Sequence, residues 1–577
     1  MGWANKKIKN ISWQDWVFIT FLLLIVIIQF TSFTKLQHLA GPIYGGDIYR
    51  ERGYSEHLIR GNSPLSDPLF LNEINYFPWF SHAVAASASK IFSTHIESVM
   101  IFAPLGITIL AAIGFYILGK KIFNKKKYAL ILAIMGVSTH FYYSKITTGL
   151  GIVFSLFFLI YWFKTKESNK IKDSVIMGTY IGLAALTHGS IFINIIVFWT
   201  SLLAIELIYM LKDKKIKYKN LITRYLPGAI TATLLSLIFF MPLMIRYSMK
   251  TLNNSFAYAL TNIDLLSPFW ALNKMMKVFF NVSSISSTLI GLISLGGLIY
   301  VLTHLRKSNT KFILALFLGT ILASAHYLIT KPILNKWMEP GHMLTILFIP
   351  ALIFFVYGIR LAHLIFKKNK KVNKIIIGIV SIVVILALIN SINSYNNSKW
   401  VQYGRSMDSS TLAMLNFGEA IKQDTGKDEV FLAHDETSFA INAVSGAKVV
   451  MSRRVHASYF VDINKRYADG MVALYGDNET QIKKLIKEYN IKYLYVDGQL
   501  IQTPMITSLD QEDYLLKNGV KYTKMNVRWD PSTTNAPSFD SLVISPQNLT
   551  IMQFVTPLTE VTAANQTMGV LYKIINI

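Results

Sequence analysis

The sequence predicts a polytopic α-helical membrane protein that carries a carboxyl-terminal α/β domain outside the cytoplasm, and three observations point there. The 577 residues are 52% hydrophobic and 13% aromatic but only 15% charged, with a mean hydropathy of +0.40, too apolar for a soluble multidomain chain. The apolar residues fall in runs of about twenty, the length a helix needs to cross roughly 30 Å of hydrocarbon at 1.5 Å per residue. Lysines gather in every second loop between those runs, as the positive-inside rule requires of cytoplasmic faces beside anionic lipid. Such loops include Lys120 to Lys127, Lys212 to Arg224 and Lys367 to Lys374. The net charge of +25 is thereby explained by topology, and no nucleic-acid partner is inferred from it.

Each apolar run must be helical, because backbone groups in lipid find no water to bond. With loop charge as punctuation, helices are expected near 15–34, 96–119, 127–140, 147–163, 174–188, 190–211, 225–246, 284–304, 312–330, 343–366 and 375–392. The first is too long for a signal-peptide core and is taken as an uncleaved span. An odd count of eleven with a basic amino terminus inside places the carboxyl-terminal region outside. The domain division is therefore 1–395, a membrane domain with a long first outside loop at 35–95, and 396–577, a soluble α/β domain. In that tail "EVFLAHD" (429–435), "AKVVMS" (447–452) and "IKYLYVDG" (491–498) have the apolar continuity of buried strands. "ETQIKKLIKEYN" (479–490) has the 3.6-residue spacing of an amphipathic helix.

The chain has no cysteine, which excludes disulfides, thiolate metal sites and cysteine nucleophiles. Sequons at Asn253, Asn281, Asn396, Asn478, Asn548 and Asn565 fall on the expected outside face, and chance in an Asn-rich chain is favoured over glycosylation as their origin. In the first outside loop Gly45 and Gly46 permit a sharp turn before Asp47. If "DIYRERGYSEHLIRG" is a helix, Asp47 is its N-cap and Gly61 its stop. In the tail, the polar stretch 452–470 holds Arg453, Arg454, His456, Asp462, Lys465 and Arg466, readable as a solvated loop or as a glycan or acceptor contact.

An acid just after the first span, a short Tyr/Arg/Glu-rich helix, a "GNSPLSDP" turn and then "YFPWFSHAVAA" together resemble the first outside loop of the GT-C glycosyltransferases. "LTHGS" (186–190) and "NKWMEPGHMLTILFIP" (335–350) are similar to segments of prokaryotic, particularly archaeal, members. The resemblance implies a GT-C-like fold and transfer of a sugar from a polyprenyl-phosphate donor to a glycan or protein acceptor at the membrane's outer face. It implies Asp47 as the base that removes the acceptor proton, in an inverting displacement. Around the leaving lipid phosphate it makes Arg50, Arg52, Arg60, Lys336 and His342 candidate cations. Glu51, His57, His82, His188 and Glu339 complete the candidate substrate contacts, with interfacial hydrogen bonding as the plainer role of each histidine. The resemblance requires no cofactor; it is compatible with a divalent cation, and no metal ligand is assigned. The second outside loop, "STHFYYSKITTG" (138–149), lacks the acid many members carry, and "RWDPST" (528–533) shares only a Trp-Asp pair with the oligosaccharyltransferase motif. The alternative from another class is a non-catalytic membrane protein that binds or scaffolds lipid-linked glycans. A transporter is disfavoured, since no paired broken helices recur in two matching halves and almost no ionisable residue falls in the middle of a span.

Overall fold

Why the apolar runs end where they do is visible in the computed structural model, which describes residues 12–139, 145–212, 218–252, 270, 273, 276, 285–305, 308–334, 343–528, 538–564 and 566–575. A helix stands at each of the eleven expected places. Among the described residues seven segments are long and apolar enough to cross a membrane: Trp13–Phe33, Ile96–Phe123, Ile146–Ser168, Gly189–Leu211, Leu221–Tyr247, Leu344–Ile365 and Lys370–Asn396. Lys126–Ser138, Ile171–Ala185, Ile285–Thr303 and Ser308–Ser324 are shorter, with 13, 15, 19 and 17 residues. The chain is a multi-pass membrane protein, and seven of the eleven expected spans meet the length and apolarity that crossing demands.

By contact density the chain divides into two compact units. The first, Met1–Lys35 with Phe102–Ile238 and Leu266–Ser398, is the membrane unit. Its helices approach through small residues: a Cβ on Gly297 would lie 1.7 Å from the Phe354 carbonyl oxygen, and one on Gly358 would lie 2.0 Å from that of Ile293. Without a hydrophobic force between helices in lipid, such close backbone approach is what holds them together.

The second unit contains Leu36–Ile101, Phe239–Leu265 and Lys399–Ile577, so the first loop packs with the tail, although a sequence division at 395 assigns it to the membrane domain. The loop supplies α1 (Asp47–Ile59) and α2 (Phe80–Ile91). The tail supplies α3 (Ser409–Asp424), β1 (Val430–Leu432), α4 (Asp435–Ser445), β2 (Lys448–Val449), α5 (Ile463–Tyr475), α6 (Glu479–Glu488) and β3 (Ile491–Asp497). The antiparallel strands β4 (Met505–Ser508), β5 (Thr523–Arg528), β6 (Ser538–Ile544), β7 (Val555–Ala563) and β8 (Gln566–Ile574) follow.

Strands β1, β2 and β3 lie where three apolar runs predict them, and they form one five-stranded sheet in the order β2-β1-β3-β8-β7. β1 pairs in parallel with β2 and β3, while β8 pairs antiparallel with β3 and β7. Phe431 stacks on Tyr493 across the β1–β3 pair with centroids 4.9 Å apart. A second sheet has the order β4-β6-β5. The loop is tied to the first sheet's edge by the Val449 amide, which donates to the Leu69 carbonyl at 2.8 Å. Helix α1 lies against α4 at Gly53, where a Cβ would stand 2.5 Å from Asn442 Oδ1; any side chain there forces the helices apart.

Candidate active site

Helix α1 is polar yet buried: every residue from Ile48 to His57 is buried, and the helix turns half-exposed only at its ends. Gly46, not Asp47, is its N-cap, so Asp47 is the first helical residue, and Gly61 at φ +83° stops the helix just beyond Arg60. The carboxylate at the helix amino terminus sits where the helix dipole stabilises negative charge. Its side chain is 42% exposed, in contrast to the helix behind it.

The burial of so much charge is offset by internal partners. Arg52 meets Glu97 at 2.8 Å and Glu56 at 3.8 Å, and Lys422 from α3 reaches the same Glu56 at 2.9 Å. Arg60 donates to the carbonyls of Thr425 (3.0 Å) and Gly426 (2.8 Å), satisfying the carboxyl end of α3. Arg50 lies over the rings of Phe77, Tyr76 and Tyr54 and donates to both tyrosine hydroxyls. These three cations are therefore engaged within the unit. The sequence presents them as loop arginines for a phosphate because their partners lie up to 366 positions away.

His57 bonds Ser66 Oγ through Nε2 at 3.1 Å, and His82 packs edge-on against Tyr54. Burial holds His82 near about 3 and lowers His57 as well, so both rings are neutral at ordinary pH. Glu51 is buried. His188 lies in the membrane unit just before Gly189–Lys212, its amide donating to the Ala184 carbonyl at 2.8 Å. Lys336, Glu339 and His342 lie outside the described residues, as do Asn253, Asn281 and Asn565, residues 140–144 of "STHFYYSKITTG" and 529–533 of "RWDPST".

Asp47 is held by the tail. His456 Nε2 lies 3.2 Å from Asp47 Oδ1, and the imidazole stacks on Phe439 of α4 with centroids 4.8 Å apart. Burial pushes His456 down to about 4 against the opposing pull of the Asp47 hydrogen bond, so the ring is neutral near neutral pH. Arg453 donates to the Gly45 carbonyl at 3.0 Å and the Tyr44 carbonyl at 2.5 Å, and its Nε donates to Glu436 Oε1 at 2.8 Å. A Cβ on Gly45 would stand 2.5 Å from the Trp400 ring, so the tight turn demands glycine. His456, Arg453 and Glu436 follow the carboxyl ends of the parallel strands β2 and β1, the edge where open α/β sheets bind ligands. Here that edge meets the turn carrying Asp47.

The rest of the 452–470 stretch is structural. Asp462 caps α5, Lys465 pairs with Asp469 at 2.6 Å, Arg466 pairs with Glu73 at 3.1 Å, and Arg454 bonds Asn464 and the Ile506 carbonyl. The sequence marks this stretch as polar but not the Asp47–His456 pair, whose members are 409 positions apart.

The fold is that of the GT-C membrane glycosyltransferases. The oligosaccharyltransferase AglB of Archaeoglobus fulgidus, in complex with an inhibitory peptide and a dolichol-phosphate, aligns at a TM-score of 0.52 with 13% identity, over 92% of this chain and 74% of that one. The same organism's oligosaccharyltransferase tethered to an acceptor peptide containing an NVT sequon aligns at 0.51 with 12% identity, over 91% and 74%. At such identity the likeness is one of fold. An uncharacterized protein of Methanocaldococcus jannaschii is 24% identical over 100 residues, 17% of this chain and 74% of that protein. No protein-family model matches the sequence.

Proposed function

We propose that this protein is an integral-membrane glycosyltransferase moving a sugar from a polyprenyl-phosphate carrier to a glycan or protein acceptor at the outer membrane face, with the 399–577 tail outside the cytoplasm. The observation that carries it is Asp47: a half-exposed carboxylate at the tip of a buried, internally neutralised helix, in a GT-C fold. Dolichol-phosphate and a sequon peptide in the fold neighbours support a lipid-phosphate donor and a polymeric acceptor.

In the proposed step the acceptor hydroxyl gives its proton to Asp47 as its oxygen attacks the anomeric carbon. The bond from that carbon to the phosphate oxygen breaks, its electron pair leaves with the lipid phosphate, and configuration inverts. Because Arg50, Arg52 and Arg60 are engaged internally, Lys336 and His342 are the sequence's remaining cationic candidates for the phosphate. The alternative, a non-catalytic binder of lipid-linked glycan, is favoured by the missing acid in 138–149.

The test is sugar transfer in proteoliposomes supplied with a panel of polyprenyl-phosphate sugars. Asp47→Asn is expected to lower turnover on the order of a hundred- to ten-thousand-fold, the usual contribution of a positioned base, while the protein remains folded. Full activity in that variant removes Asp47 as the base. Donor binding by the wild type without transfer supports the binder instead.

A further inference from the structure

A base that takes a proton from a weakly acidic hydroxyl must present its carboxylate at a fixed angle. Asp47 stands on the first turn of a helix and half in solvent. The tail restrains it from two directions. Arg453 grips the turn before Asp47 through the Tyr44 and Gly45 carbonyls, and is itself held by the Glu436 carboxylate and stacked 4.4 Å over the Phe439 ring. His456, two residues past Arg454, reaches the carboxylate directly.

We propose that His456 is a positioning residue for Asp47, its Nε2–H donating to Oδ1 and fixing the rotation of the carboxylate for proton transfer. The proposal rests on Asp47 being the base. An ionised carboxylate only accepts, so Nε2 carries the hydrogen and Nδ1 is the bare nitrogen. Nδ1 is buried and has no hydrogen-bond partner among the described residues. The imidazole is thus anchored by Phe439 on its face and through its own backbone, where the Tyr76 hydroxyl donates to the His456 carbonyl at 3.0 Å.

Tyr76 in turn accepts from Arg50, one turn after Asp47 on α1. The circuit runs from Asp47 to His456, to Tyr76, to Arg50 and back along the helix to Asp47. Its closure gives the aromatic cage of Arg50 a purpose, since moving any member tilts the imidazole away from the carboxylate. The charged and titratable groups facing His456 are Asp47 and Arg50 from α1, Tyr76 from the loop and Arg453 from its own segment, with Glu436 of α4 behind Arg453. The ring stays neutral through the working range, so His456 aims the carboxylate and does not itself store the proton.

Three substitutions separate aiming from packing. His456→Phe keeps the stack on Phe439 but has no donor; His456→Gln carries an amide nitrogen with the reach of Nε2; His456→Asn places its amide short of Asp47. With saturating donor and acceptor, the Phe and Asn variants are expected to lose kcat on the order of 10- to 100-fold, the worth of one hydrogen bond to a charged group. KM for both substrates stays within about two-fold, since the hydrogen bond is to the base and not to substrate. The Gln variant recovers most of the loss. The acid limb of the kcat profile moves to higher pH in the Phe variant, because a hydrogen bond favouring the charged carboxylate has gone.

Asp47→Asn with His456→Phe is expected to be no slower than Asp47→Asn alone, because both act at one group. Wild-type kcat in the Phe and Asn variants, or a loss the Gln variant fails to recover, overturns the proposal. If Asp47→Asn is itself fully active, the underlying assignment of the base falls instead. Independently of turnover, ¹⁵N-histidine spectra in lipid are expected to show the Nε2–H tautomer at His456; an Nδ1–H tautomer overturns the proposal.

Discussion

The membrane unit and the loop-and-tail unit treat charge in opposite ways. Along Lys370–Asn396 the isoleucines Ile377, Ile382, Ile385 and Ile389 are exposed, and charges such as the Lys126–Asp15 and Arg224–Glu206 pairs sit near helix ends. Along α1, Arg50, Glu51, Arg52, Glu56 and His57 are all buried. Lipid explains the first pattern, because apolar exposure costs nothing there and charge is expelled toward the interface. The second is not explained by stability, because burying ion pairs rarely repays their desolvation. What it achieves is rigidity behind one exposed carboxylate.

If that contrast is correct, the two ends of α1 respond differently to substitution. Asp47→Asn has the largest expected effect on chemistry, the hundred-fold or greater loss of turnover described above, with an unchanged melting temperature. Arg52→Leu has the converse signature. It takes from Glu97 its cation at 2.8 Å and leaves Glu56 with Lys422 alone, and breaking one partner of a buried network costs about 3–5 kcal/mol. Thermal unfolding followed by fluorescence in detergent should fall by several degrees; an unchanged midpoint would show that the α1 network is not what holds the loop to the tail.

The two units also differ in how legible they are from sequence. In the membrane unit, composition dictates structure locally: a run of apolar residues has no alternative to a helix, so all eleven helices stand where loop charge predicts them. The antiparallel strands β4 to β8 give no such signal; along Ser538–Ile544, for example, exposed and buried residues alternate without a continuous apolar run. The candidate site was half legible. Asp47 stands out by its place after the first span and its two glycines, but His456 owes its position to a sheet whose strands are joined by long crossovers. Arg50 and Arg52 read as solvent-facing for the same reason, since Tyr76, Glu97 and Lys422 come from other segments.

Acid offers a smaller lever on the same contrast. His82 and His456 are held neutral by burial, near about 3 and about 4, and His57 is lowered too. Unfolded, each takes a proton near pH 6.5, so below that value the unfolded chain binds more protons and stability falls with pH. The loss should begin below about pH 6.5 and grow towards the folded values, at about 2 kcal/mol per histidine by pH 4.5. The three histidines belong to the loop-and-tail unit, so hydrogen exchange at pH 4.5 should open that unit first. Uniform opening of both units would break the contrast.

The smallest effect separates a structural asparagine from a glycan acceptor. Asn478 is one of the sequons that the proposed topology places outside, yet it is also the N-cap of α6, its side-chain oxygen accepting from the Gln481 amide at 3.2 Å. A cap of this type is worth about 1 kcal/mol, and aspartate replaces it without loss whereas alanine does not. Asn478→Ala should therefore lower the unfolding midpoint slightly and Asn478→Asp should not, although both remove the sequon. Equal losses in the two variants would instead point to the amide itself, and so to an attached sugar, as the reason for asparagine at that position.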